Sequence, residues 1–238
     1  MSDRLKSIVF TVVLCVVISI LLTTASTGLQ RFQEKNVLLD KQKNILKSVG
    51  LMEPDRAYPP ETIEALYRDS IRAVWAEPDG TVIEKPVRGE QDLPIYVYFE
   101  SDEIKAYVIP INSRGLWGRI HGYLAVRGDG STISGFTVYK HAETPGLGGE
   151  IEKEWFQKNF VGKKIVDSQG GFVSIEIAKG SVAERIPKTQ QENYVDGISG
   201  ATLTGKYLTA GLHRILSEYE PVSIRFRKQS VKFTPESK

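Results

Sequence analysis

The chain has 238 residues, with 31 Lys and Arg against 29 Asp and Glu, a net charge of +2. Apolar residues make up 41% and charged residues 25%, which argues for a globular protein, and the dispersed charges offer no basic stripe for nucleic acid. One cysteine, Cys15, and three scattered histidines, His121, His141 and His213, exclude an internal disulfide, an iron–sulfur cluster and a zinc pattern. Redox chemistry in this chain therefore needs an organic cofactor.

Residues 7–30 carry no charged side chain, and 8–22 read IVFTVVLCVVISILL. A helical span needs about 20 mostly apolar residues, a length that Thr23 to Ser26 extends the run to reach. Arg4 and Lys6 precede it, so the positive-inside rule puts the N-terminus in the cytoplasm and the rest of the chain outside. A cleaved signal peptide is the competing reading, with a site after Ala25, though Thr23 is a poor small-residue position. Both readings export the same domain. Cys15 lies mid-span as a small apolar residue.

Residues 31–49 read as a stalk helix that stops at Gly50, and Pro59-Pro60 opens a second helix with Ile63, Leu66, Tyr67 and Val74 on one face. Stretches 81–83, 95–99, 104–111, 119–126 and 131–139, rich in Val, Ile, Tyr and Phe between turn residues, read as strands. A helix is predicted over 150–160, a strand over the strictly alternating 172–178, and a helix over 203–219 with Leu203, Tyr207, Leu208, Leu212, Ile215 and Leu216 on its apolar side. Helices and strands mix without regular alternation, which gives a single α+β domain behind one N-terminal transmembrane helix. The predicted organisation is a cytoplasmic terminus over 1–6, an anchor over 7–27, a helical stalk and lead-in over 28–75, a ligand-binding domain over 76–222 and a basic tail over 223–238. That tail carries Arg227, Lys228, Lys232 and Lys238 and reads as a solvated end.

Three segments can carry chemistry. Asp196-Gly197-Ile198-Ser199-Gly200-Ala201-Thr202 joins an extended segment to the strongest helix. Ser199 or Thr202 can cap that helix, Gly200 permits close backbone approach, and Lys206 adds a cation one turn on. A helix N-terminus of this kind suits a phosphate, and a well-capped helix start explains the same residues. His141 to Gly149, with three glycines and a proline, makes a rigid loop that can cradle a flat polar ring, or serve as an ordinary turn. Gly115-Leu116-Trp117-Gly118 can expose a tryptophan face for stacking, or bury a core tryptophan. Together they read as a site for a planar, phosphate-bearing cofactor, with no dinucleotide fingerprint, P-loop, catalytic nucleophile or metal motif beside it.

At these residues the chain resembles a known family. DGISGAT resembles the flavinylation motif of the FMN-binding domain family, while HAETPGLGGEIE, GLWGRIHGYLAV, the stalk LDKQKNILKSVGL and the single span resemble the C subunits of the Na+-translocating NADH:quinone oxidoreductases, over roughly Leu5 to Tyr219. The resemblance implies an FMN-binding domain over 76–222 in which a flavin transferase, using FAD, esterifies FMN to Thr202. Asp196, Ser199, Gly200 and Ala201 form the surrounding motif and Lys206 stands beside it; Trp117, Glu143, Thr144, Leu147 and Gly148 belong to the ring pocket. It also implies a relay role in the bacterial inner membrane, with the FMN domain on the outer, periplasmic side. Electrons would arrive from an iron centre of partner subunits and leave to another flavin subunit on the way to ubiquinone, while the complex oxidises NADH and pumps Na+. NADH and Na+ would bind elsewhere, since the span has no acidic residue.

Three rivals stand beside this expectation. One is the equivalent subunit of an Rnf complex working with ferredoxin, against which GLWG and GGEIE speak. Another is a free-standing exported reductase, for which a second domain of about 100–200 residues has no room. The last is a non-redox tethered binding module whose 199–202 segment is only a helix cap.

Overall fold

The computed structural model describes residues 2–53 and 56–231, so Met1 and the end of the expected basic tail at 232–238, with Lys232 and Lys238, lie outside the described residues. The chain divides into two compact units, up to Lys41 and from Gln42 onward. The first unit is helical and belongs to α1 (Asp3–Ser48), which runs unbroken through the predicted span and stalk. Its apolar side chains face outward, Phe10 and Leu22 among them, and it is the one described helix long and apolar enough to cross a membrane.

In the second unit the last residues of α1 precede α2 (Pro60–Ser70), then β1 (Ile71–Ala76), β2 (Val82–Ile83), β3 (Leu93–Glu100), β4 (Glu103–Arg114), β5 (Arg119–Arg127) and β6 (Ile133–Lys140). These strands form one antiparallel sheet in the order β2-β1-β3-β4-β5-β6. After it come α3 (Glu154–Lys158), β7 (Glu176–Ile177), α4 (Val182–Arg185), β8 (Tyr194–Val195) and α5 (Thr202–Arg227), with β7 and β8 a small parallel pair. The period-two alternation of the strands gives the sheet an α5-facing core in which Ile95, Val97, Ile109 and Leu124 meet Leu208, Leu212 and Leu216. On the sheet, the Thr137 hydroxyl donates to the Asn44 carbonyl at 3.3 Å, and Gly135 lies so close to the Ser48 carbonyl that no side chain fits between them.

Four predicted elements differ in the structure. Val74 lies in β1, not in the second helix: Tyr67, Ile71 and Val74 keep a helical spacing, but β-branched Ile71 ends α2 by pairing with Tyr98 of β3. The helix predicted over 150–160 is a 3-10 turn at Gly148–Glu152 followed by α3, with Lys153 extended between them. A continuous helix would set Ile151 and Phe156 about 140° apart, whereas the break buries both. Of the strand predicted over 172–178 only β7 pairs in a ladder, because Ser174 sits at φ 72° and turns the chain.

Helix α5 continues through Pro221 to Arg227, past the expected end at 219 and past the 222/223 division. Beyond the proline the helix end is held by Phe226, stacked on Tyr107 with ring centroids 4.2 Å apart, and by Arg227, which pairs with Glu220 and donates to the Gly130 carbonyl at 2.8 Å. Leu203, expected on the apolar face, is 49% exposed.

Ser174 combines a left-handed backbone with a buried hydroxyl that has no hydrogen-bond partner. Left-handed backbone costs about 1–2 kcal/mol for a non-glycine residue, and glycine's extra freedom when unfolded offsets about 0.5–1 kcal/mol of its relief. Ser174→Gly should therefore stabilise the protein by about 1 kcal/mol and raise Tm by about 2–4 °C in a thermal melt. An unchanged or lower Tm would show that the serine is not strained.

Candidate functional site: the start of α5

The three segments singled out in the sequence meet around the first turn of α5. Gly115 to Gly118 is the turn of the β4–β5 hairpin, closed by Gly115 N–H on the Gly118 carbonyl at 2.7 Å. The loop from His141 to Gly149 follows β6, and the segment from Asp196 to Ala201 leads from β8 into α5.

Glu143 joins these pieces. It is 5% exposed; one carboxylate oxygen accepts the Trp117 N–H at 3.0 Å and the other accepts the Thr204 hydroxyl at 2.5 Å. Its own N–H donates to Nδ1 of His141 at 3.1 Å, which leaves the proton of the neutral ring on Nε2, 3.1 Å from Glu152. Gly148 packs against this pair, and a Cβ there would lie 2.5 Å from the Thr204 hydroxyl and 2.7 Å from Glu143. Glu143 and Gly148 are therefore buried within the loop packing, while Thr144, Leu147 and Trp117 stand exposed at the surface, Trp117 by 69%. Leu147 meets the segment before α5, with Cδ2 2.8 Å from where a Cβ on Gly200 would lie, and Gly200 is itself at φ 74°.

On the other side of the first turn, a cleft of about 900 Å³ runs along α5. Thr202, Gly205, Lys206 and Thr209 line it at the i, i+3, i+4, i+7 spacing of one helical stripe, together with Asp196, Ser199, Gly200 and Ala201. Thr202 is the first helical residue and is exposed; the preceding cap position is Ala201, so no side chain caps the helix. Ser199 and Thr202 thus do not act as the cap expected from the sequence. Uncapped N–H groups and the positive end of the helix dipole face a cleft that already holds cations, which is an environment for a phosphate.

Asp196 turns away from that role. Its carboxylate accepts the Val182 N–H at 2.6 Å, and beside it Gly197 N–H donates to the Gly180 carbonyl at 2.8 Å and Ala178 N–H to the Val195 carbonyl at 2.9 Å. These bonds fasten the strip from Ala178 to Val182 against Val195, Asp196 and Gly197 as the opposite wall of the cleft. That wall brings Lys179 and Arg185, and Trp155 also lines the cleft, with its indole N–H on Glu150 at 3.1 Å. Glu176 is in the lining too, and burial followed by this neighbouring carboxylate pushes the Tyr194 phenol up.

The cleft therefore gathers Asp196, Ser199, Gly200, Ala201, Thr202 and Lys206, while Trp117, Glu143, Thr144, Leu147 and Gly148 lie outside its lining. Trp117 instead lines a separate hollow of about 400 Å³ with Arg114, Leu116 and Arg119. Sequence reasoning missed Trp155, Lys179, Arg185 and Thr204. Only Thr204 left a signal, as a second hydroxyl two residues along and so on the opposite face of the same turn.

Comparison with known proteins fits this geometry. The FMN-binding domain family matches residues 115–217, a span that opens at the hairpin turn and closes on α5. The C subunit of the Na(+)-translocating NADH-quinone reductase of Pseudomonas aeruginosa is 31% identical, over 87% of this chain and 89% of its own. That of Vibrio anguillarum is 33% identical over 85% and 87%. The crystal structure of the corresponding C subunit from Parabacteroides distasonis superposes with a TM-score of 0.70 at 31% identity, covering 82% of this chain and 96% of that one. Shewanella oneidensis NqrC, at 23% identity and a TM-score of 0.64, shares the fold. By relatives that match it over most of its length, the chain belongs to the family of Na(+)-translocating NADH-quinone reductase C subunits.

Proposed function

We propose that this chain is the electron-carrying C subunit of a membrane Na+-translocating NADH:quinone reductase, with FMN attached through its phosphate to the Thr202 hydroxyl. The observation that carries the reading is the exposed Thr202 at an uncapped helix start, inside a cation-lined cleft within the span matched by the FMN-binding domain family. Relatives that bear the C-subunit name along nearly the full length support the complex, and with it the partner subunits. A flavin transferase supplies the maturation step in this reading.

The residues present fit the cofactor. The N–H groups of the first turn of α5 receive a phosphate, Lys206 neutralises part of its charge, and Gly200 leaves the backbone open. Exposed Trp117, Thr144 and Leu147 present contact surface for the ring, while Glu143 holds Trp117 and the helix start from behind rather than touching the ring. When bound, FMN supplies reversible one- and two-electron chemistry, which the surrounding groups tune. The chain's own part is to tether, orient and partly shield it. Arg4 and Lys6 before the apolar run support a cytoplasmic N-terminus and a domain on the outer face.

Intact mass after co-expression with a flavin transferase tests the attachment. The chain should gain FMN less one water on the peptide holding Thr202, and Thr202→Val should lose that gain with stability within about 0.5 kcal/mol of the parent. Flavin fluorescence retained by Thr202→Val on a denaturing gel would move the site elsewhere. Trp117→Ala should keep the ester and shift the flavin potential or spectrum; an unchanged potential and spectrum would remove Trp117 from the ring environment.

Glu143→Ala leaves the Thr204 hydroxyl and Trp117 N–H without their acceptor and should cost about 1–3 kcal/mol in denaturant unfolding. Glu143→Gln should recover most of that loss, because a hydroxyl can accept from the amide as readily as it donates. Equal losses in the two variants would argue against the hydrogen-bonded role.

A further inference from the structure

The cleft beside Thr202 extends well past the helix start. Its stripe on α5 from Thr202 to Thr209 covers about 10 Å of helix, and its far wall carries Lys179 and Arg185. Among the described residues, neither of these cations nor Lys206 has a carboxylate within ion-pair distance, although Glu176 and Asp196 share the lining. Asp196 is committed to Val182, and Glu176 lies beside the Tyr194 phenol. Two unpaired cations opposite the acceptor hydroxyl exceed what a single phosphodiester at Thr202 requires. The wall bearing them is also held in place, by the three hydrogen bonds that bind Ala178, Gly180 and Val182 to Val195, Gly197 and Asp196.

We propose that Lys179 and Arg185 form a second phosphate subsite, which takes the leaving phosphate of a flavin dinucleotide donor while the flavin's own phosphate lies at Thr202. The inference rests on the attachment reading above. In the transfer, the Thr202 hydroxyl oxygen attacks the flavin-side phosphorus and a new P–O bond forms. The anhydride bond to the second phosphate breaks, the nucleoside monophosphate leaves with the bridging oxygen and its electron pair, and the threonine proton passes to a base of the transferase or to water. No redox change occurs. Negative charge builds on the departing phosphate, and that is where two guanidinium or ammonium groups stabilise it most. Once the monophosphate has left, the subsite has no further part in holding the flavin. Lys179 and Arg185 should therefore govern how fast the chain is loaded rather than how much flavin it finally carries.

The test is the rate of flavin attachment to the full-length chain in detergent, with flavin transferase and FAD as donor, followed by intact mass. Lys179→Gln and Arg185→Gln should each slow loading about tenfold or more at limiting FAD, mainly through a higher KM for FAD, with Lys179→Arg and Arg185→Lys restoring most of the rate. Given long reaction times, the variants should reach the parent's mass gain of one FMN less one water per chain. Both side chains are exposed, so thermal melts of the glutamine variants should match the parent, and the rate comparison is made on folded protein.

Loading of both glutamine variants at the parental rate would overturn the subsite and leave the attachment reading intact. A rise confined to the KM for the chain, with that for FAD unchanged, would also overturn it, since the cations would then be contacting the transferase. A parent chain that stays unloaded beside a transferase active on a control acceptor would remove the attachment reading, and the subsite with it.

Discussion

The carboxylate of Glu143 is the contact on which the rest of the site depends. It is buried, it bridges a backbone N–H in the β4–β5 turn and a hydroxyl in the first turn of α5, and it belongs to a loop that touches both. A carboxylate without water is stable only when its oxygens are filled, so removing either partner is felt by the other. The two glycines that crowd it, Gly115 and Gly148, are there because a side chain at either position would overlap the carboxyl group. Hairpin, loop and helix start are thereby fixed relative to one another.

The sheet and α5 provide the frame for that arrangement. The antiparallel order brings the β4–β5 turn and the end of β6 to one end of the sheet, and α5 lies across the core-facing side with its N-terminus at that end. Farther along, Tyr219 donates to the Pro94 carbonyl at 2.7 Å and the Tyr107 hydroxyl meets Ser223 at 2.7 Å. Burial pushes the Tyr107 and Tyr219 phenols up, so they remain neutral hydrogen-bonding groups through the ordinary pH range. The helix is therefore anchored along its length, and its first turn is held rigidly enough to present Thr202.

How much of this the sequence disclosed depends on the range of each interaction. The β-branched, period-two stretches of the sheet were legible because a strand's own pattern records which face is buried, and the apolar helix was legible from its length. β1 was not, because its residues continue a helical spacing and only pairing with β3 decides between the two. The break at Lys153 and the turn at Ser174 likewise arise from packing of residues that local pattern cannot see. At the site, the helix start at Thr202 could be read from the glycine and hydroxyl residues before the apolar run. The inward turn of Glu143 could not, since its partners lie 26 and 61 residues away. Lys179 and Arg185 reach the cleft only through the hydrogen bonds of Gly197 and Asp196, and nothing in their own neighbourhood marks them.

Thr202 and Thr204 are two residues apart on one helical turn and so point in nearly opposite directions, one into the cleft and the other onto Glu143. The hydroxyl that faces the cleft and the hydroxyl that holds the architecture are thus close neighbours that face apart. Here the hydroxyl that faces the cleft can be exchanged without touching the bond by which its neighbour joins helix, loop and hairpin.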